Sequence, residues 1–409
     1  MTNKVIANTH LSNITDESCD KNMDNFCVKK VKILRGWEFV FTANYRVEEV
    51  QPLLLEAKTN YLAIRDIPII PNNASRLEES IIIKSIFGTA AIEGNPLNEK
   101  EVAEIIANKT MTEAKLRTEQ EIINLREAYA AIVEVATPSH SETEKENELR
   151  DLINDDLIRI IHKMVTLGIN YEGCTPGAYR NHEVQVGDKK HGGVYTPPKI
   201  IEDIETLMRE YVLWINSGEL KGTDPWLRAA LAHYHLALIH PFGNGNGRVS
   251  RLVESYLITG TGTKYLPAML SNYYYHHIDE YFSAFSLSQR NKDNDVTPFL
   301  KFVMQGAVDS FAKVKEQIIG FIRIMSIKVY LNSLREKKNI SKREENLILI
   351  LIDSPEKTFS LSELCASPFK AIYDGVSERT ARRDIAHLLQ KKFLLVEAGR
   401  YKINMNCLE

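Results

Sequence analysis

One nonapeptide limits what the middle of this chain can become: His240-Pro241-Phe242-Gly243-Asn244-Gly245-Asn246-Gly247-Arg248, with Arg251 one turn further on. Before it, Asp224-Pro225-Trp226 opens an apolar run through Ala229, Ala232, Leu236 and Ile239, with Asp224 placed as N-cap and Pro225 at the first helical position. After it, Val249, Leu252, Val253, Tyr256 and Leu257 recur at helical spacing, which predicts a second helix from about Arg248. The string is therefore a loop between two helices. Its alternate glycines, 243, 245 and 247, permit positive φ and can turn successive N–H groups into one concavity, beside the positive end of the following helix. Such a nest suits phosphate. Arg248 and Arg251 bring two guanidinium forks to it from the helix side. His240, at the other rim, is a candidate general base, because imidazole titrates nearest neutral pH.

The full string resembles the signature of Fic-domain proteins, His-Pro-Phe-x-Asp/Glu-Gly-Asn-Gly/Lys-Arg followed by a second arginine, and differs at one defined position. The family's usual activity is transfer of AMP from ATP to a Tyr, Ser or Thr hydroxyl of a target protein. The resemblance implies that His240 deprotonates the acceptor hydroxyl. Phe242, Gly243, Asn244, Gly245, Asn246, Gly247, Arg248 and Arg251 would bind nucleotide, with the two arginines on the β/γ end. ATP is then the substrate, with Mg²⁺ as its companion. Asn244 is the departure, standing where the family carries the Asp or Glu that holds the metal. A neutral amide supplies the oxygen without the charge, so weaker metal binding, slow adenylylation, another metal or another transferred group all stay open.

Upstream, Thr89-Ala90-Ala91-Ile92-Glu93-Gly94 closes a helix predicted over about 73–89, with Gly94 as its C′ residue. An anion at a helix C-terminus is disfavoured unless a cation sits nearby. The segment resembles the Ser/Thr-x-x-x-Glu-Gly/Asn inhibitory element of some Fic proteins, in which the glutamate pairs with the second arginine, here Arg251, in the place of the ATP γ-phosphate. Glu93 would then compete with phosphate for one fork. Removal of AMP, which some members perform with this glutamate orienting a water, stays open beside transfer.

Val184-Gln185-Val186-Gly187 and Gly193-Val194-Tyr195-Thr196 flank Asp188-Lys189-Lys190 and predict a hairpin, the clear β signal of the first 300 residues apart from a short strand or edge at Trp37–Phe41. It resembles the Fic flap, which pairs with the target's backbone as an added strand; Val184, Val186 and Val194 would dock the target. Helices are further predicted over 47–65, 98–107, 113–135, 152–166, 200–216, 270–285 and 296–321. His162 reads as a packing histidine, and Tyr273, Tyr274, Tyr275 and Tyr281 as core or rim. The run 137–148 reads as a polar, acidic linker.

After Arg335-Glu336-Lys337-Lys338, three helices and a hairpin, ending in Phe393–Glu397 and Arg400–Ile403, resemble a winged helix. Its third helix, opened by Ser377, resembles the recognition helix of DeoR-type repressors and makes Arg379, Arg382 and Arg383 candidate DNA contacts. Winged helices also serve as protein-contact modules, and that use stays open.

With 44% hydrophobic and 26% charged residues the chain has ample core, and a net charge of −3 argues against a polycation seeking nucleic acid or membrane as a whole. Cys19, Cys27, Cys174, Cys365 and Cys407 lack metal-ligand spacing and are odd in number, which fits a reducing cytoplasm. No apolar run approaches the length of a membrane span. The expected fold class is mainly α: a Fic helical core with a small β-hairpin flap, plus a C-terminal winged-helix domain. Its parts are an N-terminal extension (1–72), a helical region with the inhibitory helix (73–136), the Fic core (150–322) and the winged helix (340–406). The Fic resemblance covers roughly 73 to 307. The partners expected are ATP, a target protein and, through the winged helix, DNA; a second copy of the chain stays open. The rival to the enzyme is a DNA-binding regulator that senses nucleotide through a weak or inactive Fic site.

Overall fold

The computed structural model describes residues 28–34, 37–108, 116–138, 152–291 and 293–408. Cys19, Cys27, nearly all of the polar N-terminal stretch and most of the acidic linker lie outside the described residues.

The chain starts as an antiparallel hairpin, β1 (Val28–Lys32) and β2 (Glu38–Thr42), in a register running from Val28 opposite Thr42 to Lys32 opposite Glu38. Helices follow: α1 (Val47–Arg65), α2 (Pro71–Ile92), α3 (Glu99–Ala107), α4 (Arg117–Ala136), α5 (Asp155–Thr166), α6 (Ile201–Ile215), a short α7 (Gly218–Gly222), α8 (Pro225–Ile239), α9 (Asn246–Gly260), α10 (Leu266–His276), α11 (Ile278–Gln289) and α12 (Thr297–Glu336). Local chemistry fixes several starts. Asn98 and Glu101 close a capping box on α3, and Asp224 accepts from the Trp226 N–H at the mouth of α8 with Pro225 in the first turn.

One hydrophobic core joins α1 (Val50, Leu54, Ala57) and α2 (Leu77, Ile81, Ile86) to α8, α9 and the first half of α12 (Phe299, Val303, Phe311). The expected boundaries at 72 and 136 are therefore not boundaries of the core, because α1, α2 and α4 each bury an apolar stripe against the same interior. A second core is built by Ile327, Leu331 and Leu334 at the far end of α12 with α13 (Lys342–Ile352), a 3₁₀ turn (Ser362–Cys365), α14 (Lys370–Tyr373), α15 (Glu378–Gln390) and the hairpin β3 (Leu394–Glu397) and β4 (Arg400–Ile403). Phe359 pairs with Tyr401 on the other side of β4, and Arg343–Asp384 and Glu344–His387 contacts tie α13 to α15.

Three expectations are corrected. The run 270–285 is two helices, turning at His277 (φ −122°, ψ 43°). The helix begun at 296 does not stop near 321 but runs unbroken to Glu336. The hairpin at 184–196 reduces to one antiparallel pair, Val186 with Tyr195, because Gly187, Gly192 and Gly193 take φ near +89°, +102° and +102° and leave the ladder.

Candidate functional site

The loop between α8 and α9 is shaped by a few tight constraints. His240 ends α8 in the left-handed region (φ 50°, ψ 58°), uncommon for a residue with a Cβ, and Gly245 (φ +80°) precedes α9. Of the three alternate glycines, Gly245 alone has positive φ. The other two are small for a different reason: a Cβ on Gly243 would drive into the Gly173 carbonyl, and one on Gly247 into the Glu93 carboxylate. Asn246 is 3% exposed, and its amide closes the loop on itself, donating to Phe242 O (2.8 Å) and accepting from Phe242 N (2.9 Å). Its side chain shapes the nest and does not line it. The Phe242 ring stacks on His162 at 3.7 Å. His162 Nδ1 accepts from Gly177 N, so its Nε2–H donates to the Asn244 carbonyl (3.0 Å), and burial lowers its pKa to about 4. The expected packing histidine thus also pins the loop.

His240 is half-buried, and its Nδ1 faces the Ala237 carbonyl at 3.2 Å. A carbonyl only accepts, so Nδ1 carries the proton and Nε2 keeps its lone pair. Burial, helped by the nearby Arg180 charge, lowers the His240 pKa to about 4, and the ring is neutral at ordinary pH. Arg180 holds the strained backbone: its Nε donates to His240 O (2.8 Å), its N–H to Pro241 O (2.9 Å) and its Nη1 to His182 O (2.6 Å).

Arg251 is 1% exposed: Nη2 lies 2.8 Å from Glu93 Oε1, while Nε donates to Thr89 Oγ1 (2.7 Å) and Nη2 also to Thr89 O (3.2 Å). Burial opposes the charge on Glu93, but Arg251 and Arg248 outweigh it and hold the carboxyl below its ordinary range. Behind Arg251 lies a buried chain that sequence reading missed. The Arg251 charge lies near the Tyr281 hydroxyl, which is 2.9 Å from His233 Nε2; His233 Nδ1 is 3.1 Å from Glu254 Oε2, and Tyr274 donates to Glu254 Oε1 (3.0 Å). The one signal for it was His233 in a largely apolar helix that also carries Arg228 and His235.

Arg248, 3% exposed, donates from Nη1 to the Tyr171 hydroxyl (2.8 Å) and from Nη2 to Asn244 Oδ1 (2.7 Å), and its Nε is buried with no partner among the described residues. Tyr171 in turn donates to Glu121 Oε1 (2.7 Å), whose other oxygen accepts from Asn95 (2.8 Å), two residues beyond Glu93. Tyr171, Glu121 and Asn95 had no motif to betray them. Asn244, the expected metal position, gives Mg²⁺ a poor fit: one neutral oxygen, already bonded to a guanidinium. Among the described residues no three His, Cys, Asp or Glu side chains gather into a metal site.

Val184 and Val186 are half-buried and Val194 is 50% exposed on the expected flap. The flap tip is pinned to α11 through His191, whose Nδ1 faces Asp188 Oδ2 and Nε2 faces Asp279 Oδ1, both at 2.9 Å; these carboxylates raise its pKa. Tyr273, Tyr274 and Tyr281 are buried in the main core. On α15, Arg379, Arg382 and Arg383 are all exposed, with Arg382 paired to Glu378 at 2.5 Å.

Residues 152–258 match the model of the Fic/DOC family. The chain is 28% identical over 232 residues to a protein named protein adenylyltransferase Fic from Aedes aegypti, covering 56% of this chain and 40% of that protein. It is 27% identical over 270 residues to protein adenylyltransferase fic-1 from Caenorhabditis briggsae, covering 62% of this chain and 48% of the other. The chain thus spans less than half the length of these relatives. Two solved structures share the fold at 18% identity. One is a Fic family protein from Desulfovibrio desulfuricans G20 (TM-score 0.52, covering 87% of this chain and 96% of that one), the other a Fic domain containing signaling protein from Bacteroides thetaiotaomicron (TM-score 0.50, 66% and 97%). The mainly helical chain therefore carries a Fic/DOC domain, and His240, Arg248 and Arg251 lie inside its matched residues.

Proposed function

We propose that this protein is a self-inhibited protein adenylyltransferase. The observation that carries the reading is the placement of a neutral His240, with its Nε2 lone pair free, at the rim of a loop whose far side holds Arg248 and Arg251. In the proposed reaction His240 Nε2 takes the proton of a target Tyr, Ser or Thr hydroxyl. The oxygen attacks the α-phosphorus of ATP, the bond to the bridging oxygen breaks, and pyrophosphate leaves. The loop amides and the two arginines hold the phosphates, and Val184, Val186 and Val194 align the target's backbone. Glu93 keeps the site at rest by occupying Arg251. Asn244 does not suit Mg²⁺, its one amide oxygen already accepting from Arg248.

The test is labelled ATP: the Glu93→Gly chain should label itself, and Glu93→Gly/His240→Ala should not. Equal labelling of the two would sink the base assignment.

We further infer that the C-terminal unit is a winged helix contacting DNA through Arg379, Arg382 and Arg383, since these project from the exposed face of α15 beside a hairpin. Binding that weakens with salt and drops when Arg379 and Arg383 become alanine supports this; salt-independent binding argues against it. No helix among the described residues is long and apolar enough to cross a membrane; a reducing cytoplasm is the setting we infer.

A further inference from the structure

The donor chemistry around Asn244 separates this site from a magnesium-dependent one. A hard dication favours carboxylate oxygens, and Asn244 offers a single amide oxygen that already accepts from Arg248 Nη2 at 2.7 Å. A metal there would sit against a guanidinium with no carboxylate between them to offset the repulsion. Arg248 is not free to swing aside, because its Nη1 is fixed on Tyr171 (2.8 Å), and Tyr171 is fixed on Glu121 (2.7 Å). Glu93, the carboxylate lying over Gly247, is committed to Arg251.

The same geometry favours an anion. Arg248 Nε is a buried N–H donor with no partner among the described residues, and such a donor gains a bond when a ligand supplies an acceptor. Arg251 is buried beside it and is released for a phosphate once Glu93 leaves. Two buried guanidinium groups supply positive charge of the kind a metal ion gives a polyphosphate, in fixed directions and without metal ligands.

We propose that this loop binds its nucleotide polyphosphate without a divalent cation, Arg248 and Arg251 doing the neutralising. The proposal rests on the nucleotide-site reading above and deepens it. It is tested by calorimetry on the full chain carrying Glu93→Gly, with ATP and ADP, in Mg²⁺ and in EDTA. The dissociation constants in the two buffers should agree within about threefold. Asn244→Asp in the same background should behave otherwise: the new carboxylate repels phosphate in EDTA, weakening binding about tenfold, and Mg²⁺ should restore it. If Glu93→Gly fails to fold, the wild-type chain with ADP, which lacks the γ-phosphate, gives the same comparison. A gain of about tenfold or more from Mg²⁺ without Asn244→Asp overturns the proposal and leaves the nucleotide site standing. No binding of either nucleotide in either buffer overturns the nucleotide site itself.

Discussion

Replacing Glu93 by glycine should free Arg251 without disturbing it. The carboxylate contributes one charge-assisted bond, 2.8 Å from Arg251 Nη2, and its side chain is 29% exposed, so solvent screens part of its charge. Bonds of this kind are worth about 1.5–3 kcal/mol. Partial exposure places Glu93 toward the lower end, so ATP should bind roughly ten to thirty times more tightly to the variant. Arg251 keeps Thr89 Oγ1 (2.7 Å) and Thr89 O (3.2 Å) as partners, so its fork stays in position and little of the gain is lost to reordering. The gain should be selective. ADP has no γ-phosphate to take the vacated place and should change less than about threefold. Glu93→Gln, whose amide oxygen can still accept from Arg251, should fall between wild type and glycine. Calorimetry with both nucleotides on the three proteins reads this directly. Equal ATP affinity for wild type and Glu93→Gly would refute the competition, and an equal gain for ATP and ADP would refute the γ-phosphate placement.

Three further outcomes are expected. His240→Ala should abolish transfer while leaving ATP affinity within about threefold, because in the proposed reaction Nε2 takes the acceptor's proton and the loop amides and arginines hold the phosphates; parallel loss of both would make it structural. Gly243→Ala should destabilise the fold by about 1–3 kcal/mol in urea titration, since its Cβ meets the Gly173 backbone, which cannot yield as a flexible side chain would; an unchanged midpoint would show that the loop is loosely packed. Stability should decline as pH falls from about 6.5 toward about 4. Burial lowers His162, His235 and His240 to about 4, so in that window the unfolded chain takes up protons that the folded chain refuses; His191, raised by its aspartates, works the other way but is outnumbered. A flat urea midpoint over that range would contradict the buried neutral histidines.

The loop was legible because its information is local: glycines, a histidine and arginines within twelve residues, between two helical periodicities. Even so, the glycines served different ends than positive φ alone, since Gly243 and Gly247 are small because Gly173 and Glu93 press on them from elsewhere in the chain. The Glu93–Arg251 contact spans 158 positions, and no local pattern in the sequence points to it. Tyr171 lies 77 positions from Arg248, and Tyr281 48 from His233; neither carries a local signature, so the polar chains behind the arginines stayed invisible. The flap was over-read because alternation in Val184–Val186 and Val194–Thr196 says nothing of the conformations Gly187, Gly192 and Gly193 adopt between them. Helix α12 runs through Gly320 and past the expected end at 321, because a helix glycine costs only about 1 kcal/mol and packing at both ends outweighs it.

That uncut helix gives the two halves of the molecule a shared phase. Ile318 belongs to the core on one side and Ile327 to the core on the other, with nothing but helix between them. Each residue in such a connector fixes an angle as well as a length, about 100° and 1.5 Å. Inserting one residue at Gly320 would swing α15 and its arginines about a quarter turn around the rod, whereas seven would bring them nearly back into phase, some 10 Å further out. A flexible linker would absorb either change. Here the number of residues between the nucleotide loop and the basic helix sets which way that helix faces.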